Sequence, residues 1–459
     1  MSKYNYSEVE QQINNVLNYH QNKLSEIERI SISDVNARIC ESEILLKSLG
    51  YDRQLSDLKN KKERYEVELP HKVMVVPSWE SLCLEAEKYV ESGCKLEDLF
   101  SKDELANNEL AIIQLNEEYN ALHRLDKNDI TICVVAGLIG AIVDILLIGI
   151  PQKTPDGLKG GTLSNYVRDW FDKKFPEEEM EKLANSKVSK VPYDAQDNRN
   201  TIVHVEGLSA YYHRLLALGH DPLLGLIIGV ADILSGRMTT IDKAGKIVSQ
   251  VMENYAERKE SDIFTAIAKQ IAHFKSDITT SMGLPAPLMG LFNLFQFGNI
   301  GEEDQTIAEI VQGMYYEGYD FIHFCTLSIP TMIVEVITRI GYGIKKIKEG
   351  HSIKESIPFS LSREKHPKLG TMLFIAHSAA TAINTGKVYF TKNPMAINYP
   401  QWLAFAKYSY QQLKWVFIEK PNARDAYVRG ILYDELHEVF SSVEATFDEI
   451  SVDYIVVFE

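Results

Sequence analysis

Four ionisable residues stand alone inside otherwise apolar stretches of the sequence, and together they have the chemistry of a metal or proton site. They are Asp144, Asp232, Glu335 and His377. Carboxylates and an imidazole buried side by side bind transition metals or exchange protons. Isolated buried polar groups also commonly hydrogen-bond a structural partner. The sequence leaves both interpretations open: one acid–imidazole site, or four separate structural residues.

Two histidines seven positions apart form a second group of candidates, within GLSAYYHRLLALGHDPLLG at residues 207–225. His213 and His220 would share a face of a helix, and with Asp221 they offer ligands that suit zinc. The order His220-Asp221-Pro222 is also typical of a turn before a helix, with Asp221 as the N-cap and Pro222 in the first turn. We favour the capping interpretation, because the spacing matches no zinc motif.

Arg199 and His204 form a third candidate pair, within RNTIVH. The order R-N-x-x-x-H resembles the motif of HEPN ribonucleases, metal-independent enzymes that carry both residues on one helix. The resemblance implies that His204 is a general acid or base and that Arg199 stabilises the phosphate. The preceding YDAQDNRN is typical of a loop, and the net charge of −16 repels RNA. A nucleic-acid partner is therefore not expected.

Apolar stretches that begin after residue 125 must position most of these residues. They cover 131–150, 222–235, 284–299, 325–344 and 369–383. The charged stretch 242–274 between them has the composition of a helix. Short strands are predicted at 72–79 (KVMVVPSW) and 454–459 (YIVVFE).

A glycine precedes a polar residue by seven positions in three of these stretches. The pairs are Gly137 with Asp144, Gly225 with Asp232, and Gly370 with His377. Seven residues are nearly two helical turns, so each glycine shares a helix face with its polar residue. We predict that the glycines mark close helix crossings and that the polar residues are buried with hydrogen-bond partners.

Two apolar stretches raise the possibility of membrane contact. Residues 131–150 are long enough to span a bilayer. Residues 325–344 contain Glu335 and Arg339, which disfavour spanning, and a basic cluster follows that includes Lys345, Lys346 and Lys348. These lysines suit an anionic membrane surface or a solvated helix end. We favour a soluble protein, with peripheral contact to the inner membrane as the alternative.

The five scattered cysteines and the polar segment MSKYNYSEVEQQINN predict a reduced, cytoplasmic protein. Residues 1–125 have the pattern of polar amphipathic helices, including a capping box at Ser101 and Glu104 for a helix that runs toward His123. The sequence contains no P-loop, dinucleotide-binding glycine motif or nucleophile elbow, so it indicates no cofactor.

Three stretches together resemble a group of large helical bacterial proteins of unassigned function, encoded mainly in gut-type genomes. They are residues 207–225, QTIAEIVQGMYYEGYDFIHF (305–324) and HPKLGTMLFIAHSAATAIN (366–384). The resemblance implies a bacterial source and leads us to consider a role in phage defence or mobile elements. It transfers no catalytic residue.

The sequence therefore predicts an all-α, multi-helix protein with two regions. Polar helical hairpins occupy residues 1–125, and an apolar, glycine-containing helical body occupies 126–459. The function that we infer first is that of a non-enzymatic interaction protein that binds a protein partner or a second copy and contacts a membrane. The alternatives are a ribonuclease at Arg199 and His204, and a metal or proton site at the four isolated polar residues.

Overall fold

The structure, a computed structural model, describes residues 6–29, 32–57, 72–90, 94–154, 157–280, 282–300, 304–452 and 454–458. The chain forms two compact units. The first consists of Met1–Ala121 and Pro421–Glu459, and the second of Leu122–Lys420. The protein is predominantly α-helical with a few short strands, which confirms the predicted fold class.

The helices and strands have the following limits within the described residues. The helices are α1 (Glu8–Arg29), α2 (Ile32–Ser48), α3 (Trp79–Tyr89), α4 (Lys102–His123), α5 (Lys127–Ile142), α6 (Thr162–Lys174), α7 (Glu177–Ala184), α8 (His213–Leu216), α9 (Ile228–Ser235), α10 (Ile263–Asp277), α11 (Ile307–Tyr316), α12 (Phe321–Lys348), α13 (Ile353–Ser356), α14 (Leu369–Thr391), α15 (Tyr399–Lys414) and α16 (Lys420–Ser451). The strands are β1 (Lys72–Val76), β2 (Gln152–Thr154), β3 (Gly157–Lys159), β4 (Arg237–Ile241), β5 (Ile247–Val251) and β6 (Tyr454–Phe458).

The first unit combines amphipathic helices with one two-stranded sheet. Helix α1 packs on α3 around Tyr19, Cys83 and Ala86. Both predicted strands are confirmed: β1 and β6 pair in parallel, with Lys72 opposite Tyr454. This pairing places residues 421–459 in the first unit, whereas the sequence had assigned the whole of 126–459 to one body.

Four helices, α5, α12, α14 and α15, pack together in the second unit. Cys133, Val334, Leu373 and Ala376 fill their shared core. Helix α5 passes directly into a π-helical segment, Val143–Ile148. Its Gly137 allows α14 to approach closely, because a Cβ atom at this position would lie 2.8 Å from the carbonyl oxygen of Ala376.

The other two glycines of the repeated pattern have different neighbours. Gly225 lies in a 3-10 turn before α9, and a Cβ atom there would lie 2.3 Å from the carbonyl oxygen of Gly219. Gly370 lies at the start of α14, where a Cβ atom would meet the guanidinium group of Arg363. The predicted helix crossing is therefore found at Gly137. Gly225 instead makes room within a turn, and Gly370 makes room for the side chain of Arg363.

A second core of this unit lies among helices, loops and the antiparallel hairpin β4–β5. It contains Tyr193, Leu216, Ile233 and Met238. The hairpin corrects the prediction that 242–274 is helical throughout. Asp242 accepts hydrogen bonds from the N–H groups of Ala244 and Lys246, and Gly245 adopts φ +83°, so the chain turns instead of starting a helix.

Two helical stretches of the described chain are long and apolar enough to cross a membrane, judged by length and composition. They are Lys102–Ile148 and Phe321–Lys348. The buried core helix of a soluble protein meets the same criteria, so the stretches by themselves locate no membrane.

Candidate metal centre

Two short elements, the end of α10 and one loop bring together five side chains of types that can bind metals in the second unit. His213 begins α8, and His220 ends the 3-10 turn that follows it. His273 and Asp277 lie one turn apart at the end of α10, so they share one face. The loop residue Asp194 approaches the same point.

The donor atoms of these side chains form two overlapping groups at metal-ligand spacing. The carboxylate Oδ1 of Asp194 is 3.4 Å from Nε2 of His213 and 3.5 Å from Nε2 of His220. On the other side, Oδ2 of Asp277 is 3.9 Å from Nε2 of His220 and 3.5 Å from Nε2 of His273. Two donors bound to one zinc ion at about 2.1 Å are at most about 4.2 Å apart, and all four distances satisfy this limit. The described part of the chain contains two groups of three side chains at metal-ligand spacing: Asp194, His213 and His220, and His220, His273 and Asp277. His220 belongs to both groups.

Neighbouring groups fix the orientation of two of these ligands. Nδ1 of His213 lies 3.0 Å from the carbonyl oxygen of Ala210 and donates a hydrogen bond to it, so Nε2 is the nitrogen directed at the cluster. Arg214 donates to Oδ1 of Asp277 at 3.0 Å, so Oδ2 is the oxygen directed at the histidines. Metal-binding residues are commonly held in this way by a second layer of hydrogen bonds.

An aromatic residue encloses the centre on one side. The ring of Tyr193 lies edge-on to His220 at 5.0 Å and to His273 at 5.5 Å. Its hydroxyl donates to Oε1 of Gln270 at 2.5 Å, and the amide of Gln270 donates to the carbonyl oxygen of Gly219 at 2.8 Å. These bonds tie α10 to the turn that carries His220.

The facing atoms of the cluster are buried and have no hydrogen-bond partner among the described residues. They are Nε2 of His213, Nδ1 and Nε2 of His220, Nε2 of His273 and Oδ2 of Asp277. A buried polar atom without a partner costs about 1–3 kcal/mol, and a charged one costs more. A metal ion would be a partner for Nε2 of each histidine and for Oδ2 of Asp277, whereas Nδ1 of His220 points away from these atoms, because the two nitrogens of one imidazole cannot bind the same ion.

The protonation states of two members suit metal binding. Burial, assisted by the neighbouring His273 and opposed by Asp194, lowers the pKa of His220 to about 4, so the ring is neutral at pH 7. Burial raises the pKa of Asp194, but the imidazoles of His213 and His220 outweigh this effect and hold it well below its usual range. Neutral imidazole and ionised carboxylate are the forms that bind metals.

Asp144 and Asp232, predicted as members of one site, have separate structural partners. Asp144 is buried against Lys387 at 3.1 Å and accepts from Asn384 at 3.2 Å. Asp232 accepts from the N–H and the hydroxyl of Thr239, both at 2.8 Å. Burial raises the pKa of both carboxyls, that of Asp232 to about 6. The predicted burial with hydrogen-bond partners is observed at both residues.

Glu335 and His377 lie on either side of one tyrosine. Tyr408 donates its hydroxyl to Glu335 at 3.0 Å and stacks on the ring of His377 with centroids 4.9 Å apart. Glu335 also pairs with Arg339 at 2.7 Å, and Gln401 lies within hydrogen-bond distance of His377. Neither Glu335 nor His377 belongs to a group of side chains at metal-ligand spacing in the described chain.

Arg199 and His204 do not share a helix. Arg199 lies in the 3-10 turn Asn198–Asn200, and the chain leaves this turn in an extended conformation at Thr201. Arg199 pairs with Asp197, and His204 lies 3.5 Å from Glu206 on the surface. The structural condition of the ribonuclease hypothesis is therefore not met.

The sequence had singled out His213 and His220 but had not connected them with Asp194, His273 and Asp277. A usable signal was present for the last two, because a histidine and an aspartate four residues apart meet on one helix face. Asp221, in contrast, is a cap: its carboxylate accepts from the N–H groups of Leu223, Leu224 and Leu288.

Comparisons with protein-family models, curated proteins and solved structures give no match to this chain. The resemblance to a group of bacterial helical proteins therefore stays a prediction, and the residues alone support the functional argument.

Proposed function

We propose that the protein binds a divalent transition-metal ion at Asp194, His213, His220, His273 and Asp277. The observation that carries this proposal is the convergence of buried, unpartnered nitrogen and oxygen atoms at metal-ligand spacing. Imidazole suits zinc and iron, and carboxylate also suits manganese, so the mixed set favours these three metals.

The exposure of the ligands supports a catalytic rather than a purely structural ion. The side chain of Asp194 is 27% exposed, whereas those of His213, His220 and Asp277 are at most 4% exposed. Structural zinc sites are closed, and catalytic sites keep a position for water. The three-residue group Asp194, His213 and His220 would leave such a position, where a bound metal ion would acidify a water, so we infer hydrolytic chemistry on the Asp194 side. A separate pocket of about 710 Å³ is lined by Thr280, Met282 and Asp320 but by none of the five ligands.

Metal-dependent thermal stability tests the binding site. We expect zinc or manganese added to chelator-treated protein to raise its melting temperature, because a ligand that binds only the folded state stabilises it. His220→Ala should abolish this increase. His204→Ala is the matched control, since it removes an exposed histidine from the same unit, and it should retain the increase. Equal responses of the two variants would contradict the proposed ligands.

The open coordination position has its own test. In protein loaded with cobalt, azide should change the visible absorption spectrum if an exchangeable position exists on the metal. A spectrum that azide does not change, in protein that holds cobalt, would show a closed structural site and would contradict the hydrolytic role.

A second proposed function is self-association through α16, in line with the protein partner or second copy expected from the sequence. Of the residues of α16, all within the described chain, Val428 alone is buried. Apolar side chains repeat at three heptad positions: Leu432 and Val439; Leu436, Val443 and Ile450; Tyr433, Phe440 and Phe447. These side chains are exposed, and such a stripe is typical of a helix that packs on other helices.

Light scattering coupled to size exclusion tests this second function. We expect a dimer or larger assembly that Phe440→Ser with Val443→Ser converts to a monomer. Leu84→Ser with Tyr89→Ser removes exposed apolar side chains from α3 instead and should leave the assembly intact. A wild-type monomer at high protein concentration would contradict self-association.

A further inference from the structure

Helices α5 and α12 pack side by side and expose a continuous series of apolar side chains, which we call the apolar face. On α5 and the π-helical segment after it, the face consists of Val134, Val135, Leu138, Ile142, Ile145 and Leu146; on α12 it consists of Met332, Val336, Ile340, Ile344 and Ile347. In the most apolar 18-residue segment that includes α5, 33% of the residues are buried. In the corresponding segment of α12, 39% are buried. A core helix buries its apolar side chains, whereas this surface leaves them free to contact a partner.

The acidic groups within these helices are neutralised inside the protein. Asp144 is buried and pairs with Lys387 at 3.1 Å. Glu335 pairs with Arg339 at 2.7 Å and accepts the hydroxyl of Tyr408. The apolar face therefore presents no unpaired acid to a partner.

The apolar face is elongated along both helices. Its α5 side extends from Val134 to Leu146, about 18 Å of helix at 1.5 Å per residue, and its α12 side extends from Met332 to Ile347, about 22 Å. A face of this size can lie along a membrane surface and insert its side chains among the acyl chains.

Aromatic and basic residues border one end of the face. Residues 353–359 pack on α12 and form an apolar groove of about 350 Å³ in which Ile357 and Phe359 face Ile340 and Ile344. The side chain of Phe359 is 89% exposed. An exposed aromatic residue beside an apolar surface is typical of side chains that enter the headgroup region.

The lysines at this end fall into two groups. Lys345 is engaged with Asp129 at 2.6 Å and is only 14% exposed, so it is not available to a membrane as the sequence had predicted. Lys348 and Lys354 are exposed, and Lys346 is half-buried. These three lysines outnumber the exposed acids Glu349 and Glu355 beside them, so this end of α12 offers positive charge to an anionic surface in a chain of net charge −16.

We propose that the apolar face binds an anionic lipid bilayer, with Phe359 inserted and Lys348 and Lys354 at the lipid headgroups. A second copy of the face would supply no unpaired acid to these lysines, whereas anionic headgroups neutralise them. The proposal is independent of the metal centre, and the apolar and basic contributions can be separated by mutation.

Vesicle flotation of the full-length protein measures the binding. We expect binding to vesicles of phosphatidylcholine with 30% phosphatidylglycerol in 50 mM salt, and much weaker binding to phosphatidylcholine alone, because each lysine near an anionic surface contributes about 1 kcal/mol. Lys348→Gln with Lys354→Gln should lower the partition coefficient about fivefold per lysine. Lys173→Gln with Lys174→Gln, at an exposed site on α6, is the control of equal charge and should have no such effect.

The apolar contribution has a matched pair of variants. Leu138→Ser with Ile340→Ser should lower binding to anionic vesicles at least tenfold, since both side chains would leave the acyl region. Phe264→Ser with Ile271→Ser removes exposed apolar side chains from α10 and should bind as the wild type does. Circular dichroism confirms that all variants are folded.

Two outcomes would overturn the proposal. The first is wild-type protein that stays unbound to anionic vesicles at 50 mM salt, or binds equally well with Leu138→Ser and Ile340→Ser. The second is a lipid-free dimer that these two substitutions dissociate, which would assign the face to a second copy of the chain.

Discussion

His220 and Asp221 are neighbours in the sequence and have different tasks in the structure. The turn Leu218–His220 directs the imidazole into the cluster, while the carboxylate of Asp221 accepts backbone N–H groups, among them that of Leu288 at 2.5 Å. Asp221 therefore accepts backbone N–H groups as a cap does, although the 3-10 turn begins at Leu224 and does not include Pro222. This does not exclude the proposed ligand role of His220, because the two side chains point to different partners.

The buried ring of His377 gives the stability of the protein a defined pH dependence. Burial lowers its pKa to about 4, whereas a histidine in the unfolded chain titrates near about 6.5. Between these values the unfolded state binds a proton that the folded state does not. Protonation of His377 therefore favours the unfolded state in this range. The free energy of unfolding has its full value, as far as His377 is concerned, above about pH 6.5, and it decreases as the pH falls toward about 4.

We predict that His377→Gln reduces the slope of unfolding free energy against pH by roughly 1.4 kcal/mol per pH unit near pH 5. Urea denaturation of metal-free protein at several pH values measures this slope. His204→Gln, which removes a histidine whose side chain is 69% exposed, is the control and should keep the wild-type slope. An unchanged slope for His377→Gln would show that its ring is not held neutral by burial.

The sequence could reveal part of the candidate site but not its assembly. The spacing of His213 and His220 was visible, and so was the four-residue step from His273 to Asp277. Asp194 lies in a polar loop close to Asp197, and nothing local distinguishes the two. Only tertiary packing brings Asp194 to 3.5 Å from His220, and a long-range contact of this kind has no periodic signal in the sequence.

At the scale of elements, long helices with clear signals were predictable. The capping box of α4 is present as expected, with the N–H of Ser101 donating to Glu104 at 2.7 Å and the helix ending at His123. The hairpin β4–β5 was missed because its charged residues resemble those of a helix surface. The turn residues Asp242 and Gly245 indicated the hairpin more reliably than the charged residues indicated a helix.

The crossing of α5 and α14 at Gly137 yields a prediction at the same scale. Gly137→Ala should destabilise the protein by about 1–3 kcal/mol, because the new Cβ atom would lie 2.8 Å from both the carbonyl oxygen of Ala376 and the Cβ atom of Ala379. Chemical denaturation with the metal site emptied measures the change in unfolding free energy.

Gly386 provides the control on α14. No atom lies within 4 Å of the position of its added Cβ, so Gly386→Ala should be neutral or stabilise the helix by up to about 1 kcal/mol. If both alanine variants had the same unfolding free energy, the close approach at Gly137 would be refuted.

At the scale of the whole molecule, the sequence indicated the change from polar to apolar helices near residue 125. It could not show that the chain returns to the first unit after Lys420, because the parallel pairing of β1 with β6 joins residues far apart in sequence. The proposed metal centre and the apolar face both belong to the second unit, Leu122–Lys420.

Metal content of the purified full-length protein tests the central claim most directly. Elemental analysis of protein prepared without chelators should find about one equivalent of zinc, manganese or iron per chain, and His220→Ala or Asp277→Asn should lose most of it. The exposed variant His204→Ala should keep it. A wild-type chain that contains none of these metals, and takes up none when dialysed against them, would contradict the account.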